Sequence, residues 1–177
     1  MNYKVIDNFL DISEFSDLKN MIVFNPNFSI YLMETVAESD SSKSQNSFIE
    51  KKNWNWYGTH IIYNNHEPKS SIYSSVGNYL LEKIQTIEEI KALIRIKINF
   101  YPYTKVVEEH AQHRDYLYSH KGAILSLNTC DGFTRMPNGD KIDSVENRIV
   151  FFDPVEYHNS STTSNQKGRY NINFNWI

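Results

Sequence analysis

The segment from Arg169 to Trp176 alternates strictly between polar and apolar side chains. The apolar set is Tyr170, Ile172, Phe174 and Trp176, and the polar set is Arg169, Asn171, Asn173 and Asn175. Successive side chains of a β-strand point to opposite faces of its sheet. Residues 94–101 repeat this period of two, with Ile94, Ile96, Ile98 and Phe100 at every second position. The two segments therefore predict two strands, each with one face against an apolar core.

The rest of the chain predicts helices first and short strands afterwards. Apolar residues recur at helical spacing in Asp11–Val23, with Ser13 as the N-cap, and in Ser71–Ile90, with a break near Thr86. Extended segments are predicted at Tyr3–Ile6, Trp54–Tyr63, Ala123–Leu127 and Arg148–Phe152, and a serine-rich loop at Glu38–Ser47. This order, without regular βαβ alternation, predicts an α+β fold with a C-terminal antiparallel sheet or double-sheet jelly roll.

Length and composition are those of a single globular domain. The chain has 177 residues, of which 40% are hydrophobic, enough to bury a core. We interpret residues 1–92 as a helix-rich support and residues 93–177 as the jelly-roll core. The net charge of −3 provides no basic field for nucleic acid or for an anionic membrane. Cys130 is the only cysteine, which excludes an intrachain disulfide and a cysteine-based zinc cage.

The triplet His113-Arg114-Asp115 is the first candidate for chemistry. On an extended segment, His113 and Asp115 point to the same side. Two histidines and one carboxylate on one face of iron(II) form the ligand set of non-haem oxygenases, and the opposite face stays open. His158 follows the apolar strand predicted at Arg148–Phe152, where the sheet would return. A His-x-Asp triplet also occurs by chance in many chains, so the prediction of a metal site depends on the combination with His158 and with Arg169.

Arg169 begins the alternating C-terminal segment. If the polar face of that strand meets solvent, Arg169 is an ordinary surface residue. If the face lines a cavity, the buried guanidinium needs an anionic partner, because an uncompensated buried charge costs several kcal/mol. A guanidinium matches a carboxylate in bidentate geometry. The far carboxylate of 2-oxoglutarate is a candidate partner, with Asn171 adding a hydrogen bond two residues along.

Taken together, these residues resemble a known family. The region from Arg95 to Trp176 resembles the prolyl-hydroxylase-like branch of the 2-oxoglutarate/iron(II) dioxygenases, in particular its small phage and marine-bacterial members. The resemblance is carried by Tyr101-Pro102, His113-Arg114-Asp115, Leu127-Asn128-Thr129, Gly132-Phe133-Thr134, Ser144–Arg148, Phe151-Phe152-Asp153, His158 and Arg169. It implies a double-stranded β-helix with supporting N-terminal helices, and it implies iron(II), 2-oxoglutarate and O2.

The resemblance also implies roles for individual residues. His113, Asp115 and His158 would bind the metal, and Arg169 would pair with the distal carboxylate of the cosubstrate. Tyr101 falls where such enzymes often place a tyrosine near the cosubstrate, although an aromatic core residue is an equal alternative. Ser126 stands where relatives often carry a tyrosine, so its contact with the distal carboxylate would need a water molecule. Asn128 is a further candidate near the cosubstrate.

The resemblance implies a hydroxylase that acts on a peptide or small molecule, with peptidyl proline as the leading candidate substrate. We expect a cytoplasmic protein (in the host cytoplasm if phage-encoded), with no nucleic-acid or membrane partner. Two alternatives stay open. A cupin-like metal enzyme would use the same metal site without 2-oxoglutarate, and a non-catalytic phage binding or structural protein would carry the histidines incidentally.

Overall fold

A computed structural model describes residues 3–36 and 53–177 of the chain. The serine-rich loop predicted at Glu38–Ser47 lies outside the described residues. In the described part, no helix has the length and apolar character needed to cross a membrane.

The described chain contains two α-helices, one short 3-10 helix and eleven strands. The helices are α1 (Ile12–Ile22) and α2 (Gly77–Gln85), and the 3-10 helix is Ser71–Tyr73. The strands are β1 (Tyr3–Ile6), β2 (Tyr31–Met33), β3 (Tyr57–Asn64), β4 (Glu67–Pro68), β5 (Leu93–Pro102), β6 (Lys121–Ser126), β7 (Phe133–Arg135), β8 (Lys141–Asp143), β9 (Ile149–Phe152), β10 (Asn159–Ser160) and β11 (Gly168–Trp176).

The strands form two antiparallel sheets. The larger sheet has eight strands in the order β1-β9-β6-β11-β5-β3-β2, with β4 paired to β3. The smaller sheet has the order β10-β7-β8. Strands from both halves of the chain build the larger sheet, since β1 pairs with β9 and β3 pairs with β5. The first 92 residues therefore contribute strands as well as the two supporting helices.

The two alternating segments pair with each other as the central strands β5 and β11. Their apolar faces pack into one core with both helices, and this core includes Ile98, Ile172, Phe174, Leu18 and Leu80. The opposite face of β11 is polar and nevertheless buried: Asn171, Asn173 and Asn175 are each at most 6% exposed. Buried polar groups require hydrogen-bond partners. This face therefore lines an interior site rather than meeting solvent.

Both helices differ in detail from the sequence prediction. The N-cap of α1 is Asp11 instead of Ser13, and the Asp11 backbone N–H donates to the Glu14 carboxylate at 3.1 Å, as in a capping box. The helix predicted at Ser71–Ile90 is shorter. A 3-10 turn precedes α2, and the chain leaves the helix at Thr86, whose hydroxyl donates to the Lys83 carbonyl at 2.8 Å. Local bonds of this kind compete with helical propagation.

Candidate metal centre

His113 and His158 meet through their main chains, although they are far apart in sequence. The backbone N–H of each donates to the carbonyl oxygen of the other, at 2.9 and 3.0 Å, and their ring centroids lie 4.6 Å apart. The backbone N–H of Asp115 donates to the Pro154 carbonyl at 3.0 Å. One potential ligand atom from each of His113, Asp115 and His158 lies within 4.8 Å of the other two. The structure thus brings the three predicted metal ligands together.

The Asp115 carboxylate is held by two side chains of β11 and one of β5. Asn175 and Asn173 donate to one carboxylate oxygen at 2.8 and 3.4 Å, and the Arg95 guanidinium lies 3.2 Å from the other. Burial alone would raise the pKa of Asp115, but Arg95, His158 and the bond from Asn175 together hold that pKa below its usual range. Asp115 is therefore ionised at neutral pH, the state in which a carboxylate binds a cation.

Both histidines of the centre are neutral at neutral pH, because the pKa of each is lowered. Burial lowers the pKa of His113 to about 4, with a further contribution from His158 and opposition from Asp115. Burial also lowers the pKa of His158, against the attraction of Asp115. The Nδ1–H of His158 donates to the Glu156 carbonyl at 3.0 Å, which leaves the lone pair on Nε2. Neutral imidazoles with one nitrogen free are the form in which histidine binds metals.

Arg169 is a buried cation that has no anionic partner among residues 3–36 and 53–177. Its side chain is 1% exposed, and it forms no ion pair with any carboxylate of the described residues. The Nη1 group donates to the Phe133 and Ser161 carbonyls at 2.8 and 3.4 Å, and Nη2 donates to the Thr134 hydroxyl at 2.8 Å. The buried Nε has no acceptor. A guanidinium has five N–H donors, and three hydrogen bonds are made within the described residues, so at least two donors remain available to a ligand.

Gly132 makes room for this arginine. A Cβ atom at this position would lie 2.6 Å from the Thr162 carbonyl oxygen and 2.8 Å from Cδ of Arg169. Glycine is therefore required where the loop before β7 passes the stem of the arginine.

The other predicted cosubstrate residues occupy different surroundings. Tyr101 and Asn171 line the cavity beside the metal ligands, and the Tyr101 ring centroid lies 5.4 Å from the Arg169 guanidinium carbon. Ser126 is buried and pairs in register with Asn171. Asn128 binds the backbone of β11: its Nδ2 donates to the Gly168 carbonyl at 3.0 Å and its Oδ1 accepts from the Tyr170 N–H at 2.8 Å. Asn128 therefore anchors the beginning of the strand that carries Arg169.

Sequence reasoning missed several residues of this cavity. Its wall also includes Lys97, Asn99, Thr134, Asn159, Ser160 and Asn173. Lys97 and Asn99 lie on the polar face of β5, and the alternation in residues 94–101 was a sufficient signal for them. Asn159 and Ser160 form a two-residue strand, and such a short strand leaves no periodic pattern. The cavity has a volume of about 30 Å³.

Comparison with known proteins supports the fold. No protein-family model matches the chain, and no curated protein does so. A 2OG-Fe(II) oxygenase-family oxidoreductase from Burkholderia pseudomallei is similar with a TM-score of 0.67, at 9% identity over 99% of this chain and 85% of its own. A Pseudomonas putida prolyl-4-hydroxylase is similar with a TM-score of 0.57, at 12% identity over 99% and 92%.

A third similar structure is a Trichoplax adhaerens prolyl hydroxylase in complex with a hypoxia inducible factor oxygen degradation domain peptide fragment. Its TM-score is 0.59, at 15% identity over 99% of this chain and 83% of its own. These likenesses confirm the predicted double-stranded β-helix with supporting N-terminal helices. The cavity lies between the two sheets of that fold, on the polar face of β5 and β11.

Proposed function

We propose that this chain is an iron(II)- and 2-oxoglutarate-dependent dioxygenase of the prolyl-hydroxylase-like branch, which hydroxylates a substrate C–H bond. One observation carries the proposal. The His113, Asp115 and His158 ligand atoms lie within 4.8 Å of one another, on the wall of a cavity that also includes Thr134, the hydrogen-bond partner of the unpaired Arg169 guanidinium. The three candidate metal ligands thus line the cavity, and Arg169 lies one hydrogen bond behind its wall, at Thr134.

The three side chains at the metal centre fit iron(II). Two neutral imidazoles and one ionised carboxylate are the donor set of non-haem iron(II) oxygenases. The second oxygen of Asp115 is already engaged by Asn173 and Asn175, which fixes the orientation of the carboxylate. His158 is oriented by its bond to the Glu156 carbonyl. Such outer partners set the tautomer and direction of metal ligands.

Arg169 fits the distal carboxylate of 2-oxoglutarate. The guanidinium is fully buried and lacks an anion, so a carboxylate would relieve the cost of desolvation, and the free Nε–H is a donor for it. Gly132 leaves space at the stem, and Tyr101 covers one side of the guanidinium. When bound, the iron and 2-oxoglutarate supply the oxidising power that places one atom of O2 in the substrate and releases succinate and carbon dioxide.

The remaining predicted residues have supporting roles in this proposal. Asn171 accepts a hydrogen bond from Asn99 at 2.9 Å and lies two residues from Arg169, on the same face of β11. Tyr101 packs beside both groups. Ser126 lies on the cavity side of β6, and its short hydroxyl would reach the cosubstrate through a water molecule. Asn128 acts indirectly, through the backbone of β11 at Gly168.

Cosubstrate entry requires side chains to move. A volume of about 30 Å³ is the room of a single water molecule, and a five-carbon diacid needs several times that space. The Asn99–Asn171 amide pair is the contact best placed to open, because both side chains lie on the cavity wall between the metal centre and Arg169. Neither amide forms part of the strand hydrogen bonding, so their rotation leaves β5 and β11 paired.

The leading substrate in the proposal is a prolyl residue of a peptide, and the enzyme is proposed to act in the cytoplasm. Support for a peptide comes from the similar Trichoplax adhaerens prolyl hydroxylase, whose structure contains a peptide fragment. A small-molecule substrate would use the same metal centre and the same cosubstrate.

The direct test is formation of succinate from 2-oxoglutarate with added iron(II) under air. The wild-type protein is expected to form succinate, and His113→Ala is expected to abolish it. The control is His66→Asn, at an exposed histidine with positive φ, where asparagine is tolerated and activity should persist. No succinate from the wild type, or an undiminished yield from His113→Ala, would remove the proposal.

The two alternatives make different predictions. A cupin-like enzyme without 2-oxoglutarate would keep its metal-dependent turnover after Arg169→Ala. A non-catalytic binding protein would show no iron(II) affinity beyond that of a variant with its histidines rearranged. The buried, unpaired Arg169 favours the dioxygenase over both, because neither alternative supplies the missing anion.

A further inference from the structure

Lys97 stands on the cavity wall beside the metal centre. It lies on β5, where it pairs in register with Asn173 of β11 and Ile61 of β3, and it lines the cavity together with His113 and Asp115. The side chain is half-buried. Burial and the nearby Arg95 lower its pKa to about 8, while Asp115 acts in the opposite direction.

This ammonium group has no anionic partner within the described part of the chain. No carboxylate of those residues forms an ion pair with Lys97. Asp115, the carboxylate that raises the pKa of Lys97, pairs with Arg95 at 3.2 Å. The Lys97 nitrogen lies over the Tyr57 ring, 5.3 Å from its centroid. An aromatic face attracts a cation only weakly compared with a carboxylate. A partly desolvated cation without a partner carries an unfavourable free energy that a bound anion would remove.

Lys97 is separate from the proposed binding site of the cosubstrate's distal carboxylate. Arg169 pairs in register with Tyr101 of β5, and Lys97 lies four residues before Tyr101 on the same strand. The backbone positions of Lys97 and Tyr101 are therefore roughly 13 Å apart, at 3.3 Å per residue. Two stacked rings lie between the cations, since the Tyr57 and Tyr101 centroids are 6.2 Å apart. One anionic group therefore cannot neutralise both cations.

The balance of charges around the cavity also indicates that an anion is missing near Lys97. Lys97 lines the cavity, and two further cations lie directly behind its wall, Arg95 against Asp115 and Arg169 against Thr134. Asp115 is the carboxylate that accompanies these three cations, which leaves an excess of two positive charges. A divalent metal and the dianionic cosubstrate cancel each other, so the excess persists in the loaded enzyme. The nearby carboxylate of Glu109 does not reduce it, because Glu109 is paired with Arg135.

We propose that Lys97 binds a carboxylate of the substrate, so that the molecule hydroxylated at this centre is an acid rather than a neutral compound. This inference rests on the proposed function and specifies its substrate class. The carboxylate belongs either to a small acid or chain terminus, or to an acidic side chain of a peptide. In both cases Lys97 places the anion beside the metal centre, and the substrate carbon that reacts lies within a few bonds of that carboxylate.

The test uses the full chain loaded with Zn(II), a redox-inert substitute for iron, and with N-oxalylglycine, a stable analogue of 2-oxoglutarate. Lysine labelled with ¹³C at Cε reports on Lys97 by NMR, and Lys97→Arg identifies its resonance. Acetate is expected to shift that resonance saturably, acetamide is expected to leave it unchanged, and the resonance of exposed Lys4 serves as the control. Equal responses to acetate and acetamide, or no response to either, would overturn the inference.

A second comparison tests whether Lys97 itself binds the anion. It also distinguishes a small acid or chain terminus from an acidic side chain of a peptide as the source of the carboxylate. Lys97→Met should weaken acetate binding at least tenfold and change the Kd of N-oxalylglycine less than twofold, whereas Lys4→Met should change neither. Stronger binding of N-acetylglycine assigns a free acid or chain terminus, and stronger binding of the N-methylamide of N-acetylglutamate assigns an acidic side chain. If Lys97→Met weakens N-oxalylglycine itself, Lys97 belongs to the cosubstrate and the inference fails. If Zn(II) and N-oxalylglycine do not bind at all, the proposed function fails first.

Discussion

Replacement of Arg169 by methionine should separate the stability of the fold from binding of the cosubstrate. In the unliganded protein the substitution removes three donated hydrogen bonds, each worth about 1 kcal/mol net. It also removes a fully buried charge that has no counter-ion in the described part of the protein, and such a charge costs several kcal/mol. Since the two effects oppose each other, we expect the free energy of unfolding to change by no more than about 2 kcal/mol.

Binding of 2-oxoglutarate should respond far more strongly. Loss of one partner of a buried, hydrogen-bonded charge pair costs roughly 2 to 5 kcal/mol, which corresponds to a rise in Kd of roughly 30-fold to several thousand-fold. The assay is isothermal titration of 2-oxoglutarate into Zn(II)-loaded protein, together with the cosubstrate-dependent rise in thermal stability. The control is Arg148→Met, which removes an arginine paired with Asp7 at the edge of the larger sheet. An unchanged Kd in Arg169→Met, or a loss of several kcal/mol of apo stability, would refute the assigned role.

Three further predictions concern neighbouring groups. Burial lowers the pKa of His110 to about 4. Between pH 6.5 and 4, His110 is therefore protonated in the unfolded chain but not in the folded protein, so the free energy of unfolding decreases as the pH falls through this window. The wild type should therefore lose roughly 2 to 3 kcal/mol more of its free energy of unfolding than His110→Gln between pH 7.5 and pH 4.5, as measured by chemical denaturation at both pH values. An equal loss in the two proteins would contradict the assignment. Gly132→Ala should push on Arg169 and weaken 2-oxoglutarate binding at least tenfold without weakening Zn(II) binding. The hydrogen bond from Arg135 lowers the pKa of the partly exposed Glu109 to about 2. A double-mutant cycle on Glu109 and Arg135 should therefore give a coupling free energy of about 1 kcal/mol above pH 4.5. This coupling should decline as the pH falls towards 2, because Glu109 then becomes protonated.

The alternating segments were the most informative part of the sequence. The apolar faces of β5 and β11 pack into the core, as the period of two predicts, and the polar face of β11 is buried against the metal centre. The same pattern could not distinguish a solvated face from an interior one. That distinction depends on the smaller sheet opposite, whose strands β7, β8 and β10 have only two or three residues each and leave no periodic signal.

The meeting of His113, Asp115 and His158 in one place could be predicted because the spacing of these residue types carries chemistry, whereas the side chains around them could not. Asp115 is held by Arg95 and Asn175, which come from strands separated from it by twenty and sixty positions, and only tertiary structure brings them together. Asn128 was predicted near the cosubstrate from its place in the pattern, and its side chain binds the backbone of β11. Lys97 was overlooked because a lysine on an alternating strand normally faces solvent.

The central claim is that three side chains and one arginine form a single site for iron(II) and 2-oxoglutarate. The most direct measurement is a crystal structure of the protein grown without oxygen, with iron(II) and N-oxalylglycine. The expected result is one metal ion bound by His113, Asp115 and His158, with the far carboxylate of the analogue paired to Arg169. A metal ion bound elsewhere, or an analogue whose carboxylate lies away from Arg169, would contradict the claim.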